Sequence, residues 1–359
     1  MSLDTPLTFP CGLVLPNRMA MAPLTNCQSH PDGTLADDEY AWLMRRATGG
    51  WGLLSTCATY VSDEGKAWNG QLGAATDGHL PGLTRLATDL REAGAVAIVQ
   101  LHHAGAKADE AAVKLSTADG DGIRGATEAD IARVTADFVA AARRCEAAGF
   151  AGVEIHGANG YLFTQFLAPK DNPRTDGYGG DLAGRARFLR EVTRAVRAAV
   201  SSEFAVGVRL SPVDHYAPRG LLLADSVQVG AWLAEDGADF VHLSLRDAAG
   251  PAPLEDGDVA VARAMRDGLP TGVAVLAAGG IWTRADALRA ADAGVDVVVL
   301  GKAAIGNPDW PQESGADGYE PARHPFEPDH LRAVAVSDTF MGYIGQFPGM
   351  VVGGASARG

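Results

Sequence analysis

The chain has 359 residues, of which 47% are hydrophobic, so it can bury one large core or two ordinary ones. Its formal net charge of −14, with no basic patch, argues against nucleic acids and anionic membrane surfaces as partners. The N-terminus lacks the apolar run of a signal peptide, no segment is apolar enough to span a membrane, and the four cysteines form no Cys-x-x-Cys pair. We therefore expect a cytoplasmic protein with reduced thiols and no metal site.

Two short apolar runs, residues 7–9 and 13–15, flank Pro10-Cys11-Gly12 and predict a hairpin that forms a lid over the bottom of a barrel. Apolar strands then alternate with amphipathic helices along the chain. The predicted strands are residues 18–24, 52–55, 96–100, 152–156, 204–210, 240–243, 273–277 and 295–300. Such an alternation predicts an α/β fold, a (β/α)8 TIM barrel over about residues 17–310. We expect a single domain, residues 1–359, in which residues 311–359 form an arm and a C-terminal helical extension with one helix at 329–345.

The fourth predicted strand leads into three polar side chains, His156, Asn159 and Tyr161, between two glycines. In a TIM barrel the C-terminal ends of the strands carry the catalytic groups. His156 and Asn159 can both donate a hydrogen bond toward one substrate oxygen, and the Tyr161 hydroxyl is suited to donate a proton. The alternative is a polar loop with one satisfied core histidine.

Glycines follow the seventh and eighth strands, where barrels often bind phosphate. Gly279 and Gly280 end the seventh strand, and Gly301 and Lys302 the eighth. Bare backbone N–H groups near a helix start can approach an anion closely, and Lys302 adds a positive charge. The alternative is that these glycines only form tight turns.

Arg209 and Gln100 end the fifth and third strands, on the same mouth of the predicted barrel. A buried arginine needs an anionic or polar partner, for which a structural salt bridge is the alternative explanation. Gln100 can both donate and accept, so it suits an imide edge. An imide edge, a developing negative charge and a phosphate together describe FMN, and no dinucleotide fingerprint follows a strand.

Nearly the whole chain, about residues 5–350, resembles the old yellow enzyme family of FMN-dependent ene-reductases. The resemblance rests on several motifs in one order. They are Pro16-Asn17-Arg18 through Thr25, Gln100-Leu101-His102-His103-Ala104-Gly105, residues 153–161 with 165–167, residues 172–180, Val208-Arg209-Leu210-Ser211-Pro212, Gly279-Gly280-Ile281 and Asn307-Pro308-Asp309.

The resemblance implies a role for each matching residue. Ala22, Pro23, Leu24 and Thr25 would line the isoalloxazine, with Ala58 packed on it. Gln100 would hold the pyrimidine edge and Arg209 the N1 and O2 side. Gly279, Gly280, Gly301 and Lys302 would hold the phosphate. His156 and Asn159 would bind the substrate carbonyl, and Tyr161 would donate the proton.

The chain departs from the family pattern at several positions. Ala106 stands where the family usually has arginine, Lys302 replaces the phosphate arginine, and Cys57 replaces a glutamate. The loop over residues 107–125 lacks the usual aromatic and proline pattern, which makes the shape of the substrate pocket the least transferable feature. Thr25 stands where some members have a redox-tuning cysteine. His102 and His103 we interpret as packing groups and not as metal ligands, because adjacent strand residues face opposite sides.

From these residues we predict an NAD(P)H-dependent FMN ene-reductase that acts on enones, enals and nitroalkenes by a ping-pong mechanism. FMN would be tightly but noncovalently bound, and NADH or NADPH would act as a transient reductant. The alternatives are a flavin-binding barrel with a different redox substrate or no turnover, and a phosphate-binding aldolase or isomerase, which would need a Schiff-base lysine. The sequence leaves a homo-oligomer open.

Overall fold

The structure, a computed structural model, describes residues 2–215, 218–255 and 257–355. Its strands are β1 Leu7–Thr8, β2 Val14–Leu15, β3 Met19–Met21, β4 Leu53–Tyr60, β5 Ala97–His102, β6 Lys114–Ser116, β7 Ile123–Gly125, β8 Gly152–Gly157, β9 Ala205–Leu210, β10 Phe240–Ser244, β11 Ala274–Ala278 and β12 Val297–Leu300. Its α-helices are α1 Asp37–Ala47, α2 Leu80–Glu92, α3 Glu128–Ala148, α4 Leu162–Leu167, α5 Leu182–Ala199, α6 Leu223–Glu235, α7 Val261–Gly268, α8 Arg284–Asp292, α9 Lys302–Gly306, α10 Trp310–Glu313, α11 Pro328–Ala333 and α12 Asp338–Ile344.

Eight parallel strands close into a barrel in the order β3, β4, β5, β8, β9, β10, β11, β12, which confirms the predicted (β/α)8 fold. The strands are buried along almost their whole length, as expected for parallel strands covered by helices on the outside. β3 is shorter than predicted, whereas β4 runs on to Tyr60 with a register shift between Ser55 and Ala58. This shift keeps Ala58 in the sheet, opposite Gln100 of β5.

The predicted N-terminal hairpin is present and lies at the N-terminal end of the barrel. β1 and β2 pair in antiparallel fashion, and the ring of Phe9 between them stacks on Phe240, the first residue of β10, with centroids 5.1 Å apart. The Phe240 ring also packs on Gly207 of β9, where a Cβ would come within 2.0 Å of the ring. Large apolar rings therefore close this end of the barrel.

The C-terminal extension corrects one prediction. The sequence suggested one helix over residues 329–345, but the structure has two, α11 and α12, separated by a turn in which Ala335 has a φ of +60°. The Ser337 side chain accepts a hydrogen bond from the Phe340 N–H and so starts α12 as an N-cap. The local capping signal thus overrides the continuous apolar stripe. The predicted extension reached residue 359, of which residues 356–359 lie outside the described part of the chain.

Among the described residues, no helix has both the length and the apolarity needed to cross a membrane. The cytoplasmic location and the single-domain organisation stay predictions.

Candidate active site

A cavity of about 440 Å³ opens at the C-terminal end of the barrel. Six of the predicted site residues line it, namely Asn159, Arg209, Gly279, Gly280, Gly301 and Lys302. The closed barrel brings these residues together from β8, β9, β11 and β12, although they are far apart in sequence. The structure therefore places Asn159, predicted to bind substrate, and the glycines predicted to bind phosphate around one opening.

The wall that is predicted to hold a phosphate consists mainly of backbone. Gly280 has a φ of +64°, a conformation that favours glycine, and a Cβ on Gly279 would lie 2.8 Å from the carbonyl oxygen of Leu245. Gly301 immediately precedes α9, and a Cβ there would meet only Leu24, at 3.8 Å. Lys302, the first residue of α9, is exposed. Open backbone N–H groups beside an exposed lysine suit an anion such as a phosphate.

A buried polar network lies beneath the cavity. The fully buried Glu154 carboxylate accepts from Gln100 Nε2 at 2.5 Å and from His242 Nδ1 at 2.7 Å. Burial alone would raise the pKa of Glu154, but His242, Arg209 and Gln100 lower it below the usual range, so Glu154 is a carboxylate. Gln100 donates one side-chain N–H to Glu154. Its second N–H and its carbonyl oxygen stay available for another partner.

Two buried atoms of this network have no hydrogen-bond partner among the described residues, Arg209 Nε and His242 Nε2. Burial lowers the pKa of His242, and its Nδ1–H donates to Glu154, so Nε2 of the neutral ring is an acceptor. Arg209 Nε is a donor. Unsatisfied buried polar groups are rare in folded proteins and indicate a missing partner.

His156 is positioned by its own turn. Its Nδ1 accepts a hydrogen bond from the Ala158 N–H at 3.2 Å, which leaves the ring proton on Nε2. Burial, with His102, Arg209 and His242 nearby, lowers the pKa of His156 well below its usual value. His156 is therefore a neutral imidazole whose Nε2–H can donate.

Asn159 is held by a chain of hydrogen bonds. Arg209 Nη2 donates to Ser244 Oγ at 3.2 Å, and Ser244 Oγ donates to Asn159 Oδ1 at 3.1 Å. Because its carbonyl oxygen is already engaged, the side-chain NH2 of Asn159 is left to donate elsewhere. The backbone of Asn159 has a φ of +60°, and its N–H donates to Ser211 Oγ at 2.9 Å.

Tyr161 packs against two histidine rings. Its ring centroid lies 5.2 Å from that of His156 and 4.4 Å from that of His102, both edge to face. Burial, with smaller effects of Tyr343 and Asp109, raises the pKa of Tyr161 to about 12. The hydroxyl is thus a protonated acid at neutral pH. His102 is itself buried, with its pKa lowered to about 3, in line with a packing role.

The remaining predicted cofactor residues lie at the adjoining strand ends. Ala22, Pro23, Leu24 and Thr25 follow β3 directly, and the Ala22 N–H donates to the Leu300 carbonyl at 2.9 Å. Thr25 interacts with the phenolic oxygen of Tyr343, a residue of α12. Burial and Glu39 raise the pKa of the free thiol of Cys27 to about 11, so this thiol is protonated at neutral pH.

Sequence reasoning missed several residues of this site. They are Glu154, Ser244, His242, His215, Arg246, Trp282 and His324 at the mouth or below it, and Tyr343 from the C-terminal helix. Ser244 and His242 belong to β10, for which no site residue was predicted. Their place toward the C-terminal end of a barrel strand is the signal that could have found them.

The residues around the cavity fit FMN. The open glycine backbone and Lys302 suit its phosphate, and the unpartnered Arg209 Nε suits a ring acceptor. The unpartnered acceptor His242 Nε2 suits an N–H or hydroxyl of the same group. Lys302 is exposed at the start of α9, which suits a contact with a phosphate better than a buried Schiff base.

Comparison with known proteins supports this assignment. Residues 2–316 match the family described as NADH:flavin oxidoreductase / NADH oxidase. The chain is 33% identical over 323 residues to the probable NADH-dependent flavin oxidoreductase YqiG of Bacillus subtilis, covering 86% of both chains. It is 33% identical over 317 residues to an NADPH dehydrogenase of Halalkalibacterium halodurans, covering 85% of this chain and 92% of the other. The solved old yellow enzyme homologue of Zymomonas mobilis superimposes with a TM-score of 0.78 at 26% identity, over 89% of this chain and 94% of that one.

The matched span contains the whole barrel and all fourteen predicted site residues. The aldolase or isomerase alternative is therefore excluded. The chain belongs to the NADH:flavin oxidoreductase / NADH oxidase family, and it is an FMN-dependent NAD(P)H oxidoreductase of the old yellow enzyme type.

Proposed function

We propose that the enzyme reduces the C=C bond of alkenes activated by a carbonyl or nitro group, in a ping-pong reaction in which NAD(P)H leaves before the alkene binds. The observation that carries this proposal is that His156 and Asn159, at the C-terminal end of β8, each have one side-chain acceptor atom occupied by a partner within the protein. His156 presents Nε2–H because Ala158 occupies Nδ1, and Asn159 presents its NH2 because Ser244 occupies Oδ1. Two neutral donors that the protein itself has oriented suit a substrate oxygen that gains negative charge.

Bound FMN would accept hydride from NAD(P)H and pass it on to the alkene. Gly279, Gly280, Gly301 and Lys302 would hold its phosphate noncovalently. Arg209 would face the part of the ring that becomes negative on reduction, since its Nε is buried and unpartnered among the described residues. Gln100, with one amide N–H already bound to Glu154, would use its other N–H and its oxygen on the imide edge.

In this proposal His156 and Asn159 act on the activating oxygen of the alkene. Both side chains are neutral donors, so their hydrogen bonds strengthen as the oxygen becomes enolate-like. The arrangement is preorganised, because the donors are fixed by partners within the protein and need not reorient during the reaction. These two hydrogen bonds would lower the barrier to hydride transfer to the β-carbon.

Tyr161 is the proposed proton donor to the α-carbon. It lies edge to face with His156, 5.2 Å between centroids, and stays protonated because burial raises its pKa to about 12. A general acid must hold its proton until the transition state, and Tyr161 does so throughout the neutral range. The reaction then requires no solvent proton at the moment of transfer.

The experiment is an anaerobic titration of the purified yellow protein. NADH or NADPH should bleach the flavin absorbance, and a cyclic enone added afterwards should restore it. Bleaching without recovery by enones, enals or nitroalkenes would contradict the proposed substrate class and favour a different redox substrate. Bleaching only while the alkene is also present would contradict the ping-pong order.

A further inference from the structure

Two cationic side chains meet over Gly160, between the proposed carbonyl site and the proposed proton donor. Gly160 has a φ of +74°, and its open face points at both of them. A Cβ at this position would lie 2.9 Å from Lys107 Nζ and 2.7 Å from Arg219 Nη1. The two charged groups are therefore less than about 6 Å apart. The mechanism above uses neither of them.

Lys107 has no carboxylate partner in the described part of the chain. Its Nζ donates to the backbone carbonyl of Asn159 at 2.9 Å and lies 5.0 Å from the centroid of the Tyr161 ring. Partial burial and the charge of Arg219 lower its pKa, an effect that Asp171 opposes. A bound anion would reverse this unfavourable balance of charge.

Two nearby carboxylates, Asp171 and Asp214, already have partners within the protein. Asp171 pairs with Arg219 Nη1 at 2.9 Å. Asp214 Oδ2 accepts the backbone N–H groups of Arg219, Gly220 and Leu221. Asp171 pairs with Arg219, so Lys107 is left to pair with a ligand, and one such cation suits a single carboxylate.

A second cavity, of about 360 Å³, reaches Arg219 and Gly160, and the Asp214 carboxylate also lines it. Gly160, Thr164, Ser211, Arg219 and Leu221 are part of its lining. It shares Asn159 and Ser211 with the larger cavity, so one ligand can extend from the first into the second.

We propose that the natural alkene carries a carboxylate, which binds between Lys107 and Arg219 while its activating oxygen is held by His156 and Asn159. This inference rests on the proposed function and makes the substrate class more specific, an activated alkene with a second, anionic end. The carboxylate fixes the orientation of the alkene and does not take part in the bond changes.

The test uses phenols, whose oxygen mimics the enolate, as ligands of the FMN-loaded enzyme. Binding of 3- and 4-hydroxybenzoate and of the two matching hydroxybenzamides is followed by flavin absorbance. The variants are Lys107→Met, Lys107→Arg and, as a control with the same loss of charge, Lys114→Met in the neighbouring strand β6, where Lys114 pairs with Asp109.

For at least one isomer, wild type should bind the acid more tightly than the amide. Lys107→Met should weaken binding of that acid roughly ten-fold and leave the amide within about two-fold, as expected for losing a charged hydrogen bond. Lys107→Arg should retain most of the preference, and Lys114→Met should retain all of it. Added salt should weaken binding of the hydroxybenzoate and leave binding of the hydroxybenzamide unchanged.

The proposal is overturned if neither acid is preferred by wild type, or if Lys107→Met weakens acid and amide equally. Failure of the proposed function looks different. In that case neutral enones would not reoxidise the reduced flavin, whatever the acid preference. The two measurements therefore separate the anionic subsite from the reaction.

Discussion

At the N-terminal end of the barrel Phe9 stacks on Phe240, and the buried Asp239 accepts hydrogen bonds from the backbone N–H groups of Cys11 and Val206. At the C-terminal end the interior instead holds a polar network of Glu154, His242, Gln100 and Arg209. The groups at the N-terminal end have their packing and hydrogen-bond partners within the protein. The C-terminal end leaves Arg209 Nε and His242 Nε2 buried without a partner among the described residues. Buried polar atoms without partners are unfavourable, so the C-terminal end gives up stability to create a site that a ligand completes. Changes at the two ends should therefore affect different properties.

The largest effect is expected from Tyr161→Phe. If Tyr161 donates the proton, oxidation of the reduced flavin by a simple enone should slow by about 10²–10⁴-fold, the usual contribution of a general acid. Reduction by NAD(P)H should stay near wild type, since no proton is donated to carbon in that step. Stopped-flow traces of the two half-reactions measure both rates, and an enone rate equal to wild type would remove Tyr161 from the mechanism.

Nitroalkenes provide the internal control for this variant. A nitronate is stable without immediate protonation, so its formation should be spared in Tyr161→Phe. Its later conversion to the nitroalkane should be slow. Equal slowing of the hydride step with enones and nitroalkenes would indicate a packing defect instead of a lost acid.

At the opposite end, Phe9→Ala should lower the free energy of unfolding by about 3–5 kcal/mol, the usual range for removing a buried phenylalanine. The ring is 2% exposed and stacks on Phe240. Denaturant unfolding measures the loss, and flavin absorbance and phenol affinity of the folded protein should not change. Val14→Ala in the same hairpin is the control, since Val14 is 51% exposed and should cost less than about 0.5 kcal/mol.

His156→Ala or Asn159→Ala should each weaken binding of a phenol by about 1.5–3 kcal/mol, the contribution of one hydrogen bond to a charged oxygen. Flavin reduction by NAD(P)H should be affected less, because it needs no carbonyl polarisation. Titration of flavin absorbance gives the affinities. Unchanged phenol binding in His156→Ala would place the substrate oxygen elsewhere.

A smaller effect is expected from Glu154→Gln, which removes the negative charge next to Arg209. Without the Glu154 charge, the negative charge of reduced flavin should be repelled less, so the reduced form should be favoured over the oxidised form. A Coulomb change of about 1 kcal/mol corresponds to a rise of about 20 mV in the two-electron midpoint potential. Redox titration of the flavin measures this shift. A lower potential in the variant would mean that Glu154 does not set the charge of the site.

The smallest effect is expected from pH. The pKa of Tyr161 is raised to about 12, so this acid should lose its proton only in strongly alkaline solution. The pKa of His156 is lowered well below its usual value, so the imidazole should stay neutral in mildly acidic solution. The rate of flavin oxidation by an enone should therefore vary little between about pH 6 and 9. A step near pH 6.5 would show that a histidine titrates in the reaction.

The sequence determined the architecture and the location of the site. The alternation of apolar strands and amphipathic helices predicts the barrel, because both periods are local properties of the chain. His156, Arg209, Gly279 and Gly301 could be located because barrel strands all end at the same mouth. The apolar stripe over residues 329–345 predicted one helix where the structure has two, because periodicity alone does not reveal the turn at Ala335.

The tertiary structure decided what these side chains can do. Asn159 donates because Ser244, 85 residues further along, occupies its carbonyl oxygen, and Arg209 in turn engages Ser244. Glu154 is ionised because β5 and β10 bring Gln100 and His242 to it. Lys107 and Arg219 meet only because two loops approach Gly160. Whether a side chain donates or accepts, whether it is ionised and which charge it pairs with all depend on atoms a few ångströms away. Closure of the barrel, and not the local sequence, brings those atoms to it.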